Sequence, residues 1–541
     1  MNHSNTIYHV LSRCGGGKTY HSLNDLLGLC VGKQQANEQH DRVIFFASKT
    51  NDLTKQSYSD FMQLCENNNV TGLPVKKIDS DTHSRVVETI TNLVKNNQFK
   101  GVLFVSHKVL TQLPECVLEN ALIATDEVPQ ELVEHINIQY KDNTMASLDT
   151  WVTVGEDVGE GFKEVKLKED VKEKAAELLE DIHSKRNNML SEDTANILSF
   201  LLEGYSVLYK RTSNKEDGSV SHIYQALHYS PLMKVVSNAY KFIVLSAQFK
   251  QTLFGYIAVN LLGLEVKEID RLINTPLETK HKHKVVIVPF LKTGNWSKSL
   301  KDKPISEGIS SAVSLDGDIT VREFIQQFAD DILGSKYLLF KNKDDAVIPQ
   351  VNRTDVEPLK TAVHGLNCYS SFTKAVFIAS LIPSPIEKGM VRKFAEDNDG
   401  LSRKEIYDAM VTERCYEAAY QCVARTAIRK PTADIKPDDE VCVFVVPDMG
   451  YANYIARWFE DGCCTIDTSK SYIAKSIEDA KQRKIDSANA RLEVVINILM
   501  DKKKKIDTMK NILASYGIGK TTFHKYKIEH KARLQQLELM R

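Results

Sequence analysis

The chain has 541 residues, 42% hydrophobic and 26% charged, with a formal net charge of −1. That length exceeds a single core and suggests about three or four domains. The balanced charge excludes a uniformly basic polyanion binder, so any nucleic-acid contact must be a local patch.

The longest apolar runs, VCVFVV and FIVLSA, are strand-length and too short to span a bilayer. MNHSNTIYHV lacks the charged and apolar regions of a signal peptide. The ten cysteines show no CxxC, and Cys463 and Cys464 are adjacent. This pattern supports neither a zinc ribbon nor a disulfide framework, and a reduced protein of the cytoplasm is expected. Cys14, Cys30, Cys65 and Cys116 are the remaining candidates for a metal cluster. Cys14, however, falls inside the first motif below.

That motif is SRCGGGKTY, and a second Gly-x-Gly-Lys-Thr recurs near the end in ASYGIGKTTF. A phosphate loop wraps an anion in backbone N–H groups at a helix start. Its Lys reaches the β/γ-phosphates and its Thr hydroxyl helps hold Mg²⁺. It requires a buried strand before it and a helix after it. Ile7 to Leu11 supplies the strand, and YHSLNDLLGLC supplies the helix, with Leu23, Leu26 and Leu27 on one side. Ser12, Cys14, Gly15, Gly16, Gly17, Lys18, Thr19 and Tyr20 are the expected nucleotide-binding residues.

The second copy follows Ile506, Met509, Ile512 and Leu513 at helical spacing and precedes another helical run. Helix, Gly-containing turn, helix is the form of a helix-turn-helix, with Gly517 as a helix C-cap. Only the first copy is therefore expected to bind a nucleotide. Its partner is expected in NALIATDEVP, where an apolar run ends at Asp126-Glu127. Asp126 would take Mg²⁺, and Glu127 would orient or deprotonate the attacking water.

After Pro129 comes a long interval whose EDVKEKAAELLEDIH and DTANILSFLLEG stretches are amphipathic and helical. A hairpin with Asp217-Gly218 at its turn follows. Trp296 reads as a packing residue more readily than as a base-stacking wedge. From Ser471 to Arg541 the chain has sixteen Lys/Arg against eight Asp/Glu, and Lys520 and Lys525 would lie on a positive face suited to phosphates.

Taken together, the motifs resemble those of superfamily 2 helicases, in the family's order. Ser12 to Thr19 is similar to motif I, VIFFASKTNDLTKQS to motif Ia, GVLFVSHKVL to motif Ib, and Asp126-Glu127 to motif II. FIVLSAQF resembles motif III with Gln248 in place of Thr. KYLLFKNKDD, HGLNCYSSFTKAVFIAS and YQCVARTAIRK resemble motifs IV, V and VI. In the last, Ala424 replaces Gly and Arg429 lies one residue late, as in divergent helicases of phages and mobile elements.

The resemblance implies an α/β fold: two RecA-like domains with parallel sheets, a mainly helical insertion and a helical C-terminal domain. The implied boundaries are 1–130 and 235–278 for the first domain, 131–234 for the insertion, 279–462 for the second domain and 463–541 for the basic tail. It implies ATP and Mg²⁺ as cofactors, with Gln421, Arg425 and Arg429 acting on the γ-phosphate from the second domain. It also implies that Lys49, Thr50, Ser106, His107, Asn342, Lys343, His364 and Asn367 face nucleic acid, and that Ser246 and Gln248 couple the two sites. DNA is the favoured partner, as a single strand or fork, together with replication proteins and no membrane. The expected activity is DNA unwinding. Its rivals are a DNA-stimulated ATPase that remodels protein–DNA complexes without unwinding, and a DNA-binding replication or regulatory protein without turnover.

Overall fold

The computed structural model describes residues 5–35, 42–95, 99–119, 121–141, 148–159, 161–183, 190–213, 220–269, 277–310, 319–334, 336–343, 345, 356–361, 369–436, 440–503, 508–516 and 518–536. His364, Asn367, Gly517 and the Asp217-Gly218 turn lie outside them. Among the described residues, no helix is long and apolar enough to cross a membrane.

Five strands open the chain: β1 (Thr6–Leu11), β2 (Ile44–Ser48), β3 (Val75–Lys77), β4 (Val102–Ser106) and β5 (Leu122–Asp126). The next five, β6 (Glu134–Lys141), β7 (Val152–Gly159), β8 (Phe162–Leu167), β9 (Val207–Ser213) and β10 (Val220–His228), form a sheet of their own. The chain then returns with β11 (Lys241–Ser246) and β12 (Glu265–Ile269) to complete a seven-stranded sheet in the order β12-β1-β11-β5-β2-β4-β3. Every pairing in it is parallel. Strands covered on both faces need no alternation, and β2 accordingly reads IFFAS with every residue buried. Leu23, Leu26, Leu27 and Cys30 recur at helical spacing on Lys18–Gln35 and pack on one face of this sheet.

The insertion departs from the mainly helical piece expected. Its helices Lys172–His183 and Glu192–Leu202 are present, but they cover a five-stranded antiparallel sheet of order β6-β10-β9-β8-β7. These strands lack a clean alternation because residues on both of their faces are buried, Leu208 and Leu227 in one core and Val207 and Ala226 in another. In β8, FKEVKL, only Phe162 and Val165 are fully buried. Trp151, Ala175, Leu198, Phe200 and Tyr224 form the shared core.

Two compact units emerge from the packing, one of residues 1–289 and 328–467, the other of residues 290–327 and 468–541. Strand β13 (Val285–Thr293) runs from the first into the second, and β14 (Ile309–Ser310) belongs to the second. The first unit adds β15 (Tyr337–Lys341), β16 (Val356–Lys360), β17 (Lys374–Phe377), β18 (Cys442–Asp448) and β19 (Cys464–Ile466). Its second sheet runs β16-β15-β17-β18-β13, with β19 beyond β13, and the β15–β16, β15–β17, β17–β18 and β13–β19 registers are parallel. The α/β class with two parallel-sheet domains is therefore the one expected.

Residues 290–327 group with the tail rather than with the second sheet domain, to which the sequence assigned them. In this unit Trp296 is fully buried against Phe290, its ring 6.1 Å away and edge-on, which fits packing. Strand β20 (Tyr472–Ala474) joins β14 and the end of β13. The helix Lys475–Lys503 then packs on Met509–Ser515 and Lys520–Glu529 through Val495, Ile498, Ile512, Leu513 and Phe523.

Within the first unit the insertion is pinned to the helix Pro385–Asp397 of the second sheet domain. Arg392 Nη2 donates to the carbonyls of Val158 at 2.8 Å and Gly159 at 3.2 Å. A Cβ on Gly389 would fall 2.3 Å from the Phe162 ring. Gly389→Val is therefore expected to destabilise this seam by about 1–3 kcal/mol, as overpacking does. Urea unfolding of the variant, with insertion and sheet-domain probes followed separately, checks it.

Candidate nucleotide and nucleic-acid site

All the strand-borne motifs of the first domain end at one edge. Because β1, β11, β5, β2 and β4 are parallel, their carboxyl ends carry the Gly-rich loop, Ser246, Asp126, Lys49-Thr50 and Ser106 side by side. Open parallel sheets bind ligands at this edge.

The loop of Ser12 to Thr19 has the backbone that a phosphate cradle needs. Gly15 and Gly17 adopt φ of +76° and +80°, the left-handed region that glycine enters without penalty. A Cβ on Gly16 would meet Ser12 Oγ at 2.3 Å and the Glu278 carbonyl at 3.0 Å. Lys18 Nζ donates to the carbonyls of Ser12 and Arg13, both at 3.1 Å, which holds the ammonium within the loop. Tyr20 is largely exposed.

The second Gly-x-Gly-Lys-Thr differs in its described residues. It joins Met509–Ser515, capped by the Thr508 hydroxyl, to Lys520–Glu529, and a Cβ on Gly519 would meet nothing within 4 Å. Lys520 and Lys525 are exposed.

The Thr19 hydroxyl lies 3.0 Å from each oxygen of Asp126. Burial, and then the neighbouring charge of Glu127, push the Asp126 carboxyl up to about 6. Glu127 has φ of +74°, and its N–H is tied to the Leu245 carbonyl at 2.9 Å. Such strain at a non-Gly residue costs on the order of 1 kcal/mol and fixes where the side chain leaves the strand. A buried Asp126 carboxylate that feels Lys18 and the adjacent Glu127 is suited to a divalent cation. Among the described residues no three His, Cys, Asp or Glu side chains converge as a metal site. An ion here would therefore complete its shell with phosphate oxygens and water, as Mg²⁺ usually does.

From the second sheet domain, Arg429 lies against the loop. Its side chain is what a Cβ on Gly15 would strike, at 2.8 Å, and it feels the charges of Glu127 and Asp126. Arg425, in register with the family pattern, is buried. Gln421 Nε2 donates to Glu417 at 3.3 Å, and the Tyr454 hydroxyl donates to the same carboxylate at 2.6 Å. Arg457 stacks on the Tyr454 ring at 3.6 Å and donates to Gln251 at 2.7 Å. Gln251 accepts from Gln248 at 3.2 Å. A continuous path thus joins Gln248 to Gln421. Ser246 Oγ sits 3.0 Å from His9 Nε2, whose ring burial holds down to about 4, and therefore neutral.

Several residues expected to face nucleic acid have local duties. His107 is a correction: its ring is fully buried, 3.2 Å from the Ala47 carbonyl and 3.3 Å from the Glu131 carboxylate, so it cannot touch a phosphate. Thr50 caps the helix Asn51–Asn67 by accepting from the Leu53 N–H. Asn342 ties the end of β15 to Ser380 through both its amide groups. Lys49 is half-buried, 3.5 Å from Gln130, while Ser106 is half-buried and Lys343 exposed.

Sequence reasoning missed the residues that seat the loop on the second sheet domain. The Cys14 N–H donates to the Tyr420 hydroxyl at 2.9 Å, Tyr420 lies 3.0 Å from His281 Nε2, and Tyr420 stacks on Trp458. Burial, assisted by Arg13, keeps the His281 imidazole neutral. His281 stands in the run KHKHK, which reads as a solvated charge run although its histidines are buried. The one available signal was position, since Tyr420 directly precedes Gln421.

No protein-family model and no curated protein matches the chain. Among solved structures it is similar to the DUF1998 helicase MrfA bound to DNA and AMPPNP, with 11% identity, a TM-score of 0.34, and 85% of this chain and 50% of that one covered. It is similar to S. cerevisiae Dbp5 bound to RNA and ADP BeF3, with 10% identity, a TM-score of 0.31, and 86% and 85% covered. It is also similar to the DEAD-box helicase Mss116 bound to ssRNA and UDP-BeF, with 9% identity, a TM-score of 0.31, and 95% and 82% covered. The chain spans half the length of the MrfA chain. Likenesses this distant add nothing to the site, which rests on the chain's own residues.

Two outcomes are expected. Gly16→Ala abolishes binding of a fluorescent ATP analogue in titration, whereas Gly519→Ala leaves it unchanged. Mg²⁺-dependent nucleotide affinity falls as pH drops through about 6, because Asp126 is raised from 3.8 and gains its proton there. Asp126→Asn abolishes that pH dependence in the same titration.

Proposed function

We propose that this chain is an ATP-dependent nucleic-acid translocase of helicase type, acting on DNA. The observation that carries the reading is the pairing of Thr19 with both oxygens of Asp126 at 3.0 Å, beside a strained Glu127 and under Arg429 from the facing domain. These residue types in this arrangement suit phosphoryl transfer to water.

Lys18 and the loop N–H groups would bind the β/γ-phosphates, while Thr19 and Asp126 would hold Mg²⁺. The ion, when bound, supplies charge that offsets the transferring phosphoryl oxygens. Glu127 would orient the attacking water, and Arg429 would stabilise the γ-phosphoryl oxygens, a contribution that can reach about 10³–10⁵ in rate. Arg425, which is buried, and Gln421, which donates to Glu417, would sense the γ-phosphate. The path from Gln421 through Glu417, Tyr454, Arg457 and Gln251 to Gln248 supports coupling of nucleotide state to the sheet edge where Lys49 and Ser106 lie.

DNA is preferred over RNA on the character of the tail, two short helices in helix-turn-helix order with exposed lysines.

The test is ATP hydrolysis with and without single-stranded DNA or RNA, for the native chain, Lys18→Ala and Lys520→Ala. Strand-stimulated turnover that falls at least a hundredfold in Lys18→Ala and persists in Lys520→Ala supports the reading. Absence of turnover with every nucleic acid sinks it.

A further inference from the structure

Arg13 lies in the Gly-rich loop between Ser12 and Cys14, and its side chain is fully buried. A guanidinium has five N–H donors, and here each has an acceptor. Nε donates to Glu278 at 2.8 Å and Nη2 donates to the same carboxylate. Nη1 donates to the carbonyls of Cys14 at 3.0 Å and Ile428 at 3.3 Å, and Nη2 to that of Lys430 at 3.1 Å. Glu278 completes the junction, its carbonyl accepting from the Arg13 N–H at 2.9 Å and its carboxylate from the Thr432 N–H at 3.3 Å.

Three stretches of chain therefore meet on one side chain. They are the loop itself, the connection that leads into the second sheet domain, and the segment 428–432 that contains Arg429. Burying a cation is expensive unless every donor is matched, and an apolar side chain would fill the space at lower cost. Only a planar five-donor fork reaches two main-chain carbonyls of one segment and a carboxylate of another at once. No donor is left for a phosphate.

We infer that Arg13 is a positioning residue that fixes Arg429 against the phosphate loop. It acts on turnover through that segment and not by touching the nucleotide. The inference rests on the ATPase reading above for its effect on rate, and on geometry alone for its effect on the segment.

The test is Arg13→Lys in the full chain, with steady-state ATPase, nucleotide affinity by titration, and amide hydrogen exchange. Lysine keeps the charge but has three donors in place of five. The expected result is a fall in kcat of about tenfold or more with nucleotide affinity kept within about threefold, and faster exchange across 428–432. Affinity and turnover falling in parallel, or kcat unchanged, overturns the inference.

Should Arg13→Lys lose cooperative unfolding, Glu278→Gln, which retains an acceptor and removes the charge, carries the same comparison. Should the native chain bind nucleotide without turnover, the ATPase reading fails by itself. Unchanged exchange at 428–432 would then overturn the positioning role, and faster exchange would uphold it.

Discussion

The hydroxyl of Thr19 and the carboxylate of Asp126 meet across a single intervening strand, and the geometry of the site depends on that meeting. Thr19 lies in the first turn of the helix after β1, and Asp126 ends β5, with β11 between them. Their contact at 3.0 Å requires β1, β11 and β5 to be parallel and in the observed register, Val10 beside Leu245 and Leu245 beside Asp126. A slip of one residue would turn the alternating side chains to the other face and take Asp126 away from the loop. The buried apolar runs of these strands are what hold the register, so the core decides the chemistry by fixing a hydrogen bond at its edge.

Stability is given up at this edge. Asp126 is buried beside a second carboxylate, and Glu127 adopts a left-handed backbone conformation. The buried Arg13 is satisfied because Glu278, three carbonyls and His281 Nδ1 converge on it. Such arrangements persist where the surrounding structure over-determines them. Here that structure is a seven-stranded sheet on one side of the loop and Tyr420, His281 and Trp458 on the other.

The antiparallel insertion adds a second connection between the two sheet domains of the first unit. It leaves the first sheet after β5, returns at β11, and is held to the Pro385–Asp397 helix by Arg392 and by the close fit of Phe162 on Gly389. Relative movement of the two domains must either carry this seam along or strain it. The unit formed by 290–327 and the tail has its own core around Val495, Ile498 and Phe523.

The sequence by itself marked the buried apolar runs that form β1, β2, β4, β5 and β11, placed a strand before and a helix after only the first Gly-x-Gly-Lys-Thr, and ended a buried strand at Asp126-Glu127. Those properties are local: an apolar run of strand length, a left-handed glycine, a helical period. It misjudged the insertion because the strands there bury residues on both faces, Phe162, Leu208 and Leu227 in one core and Val165, Val207 and Ala226 in another, so no alternation marks them as strands. It placed His107 on the nucleic-acid side because a motif gives position along the chain and not the direction of a side chain. Only the tertiary structure decided that Arg429, one residue off the family spacing, reaches the loop while Arg425 is buried. Only there do Arg13, Glu278 and the Ile428–Lys430 stretch, three distant parts of the chain, share one set of hydrogen bonds. Contacts of that separation are fixed by the packing of whole domains, which no window of sequence contains.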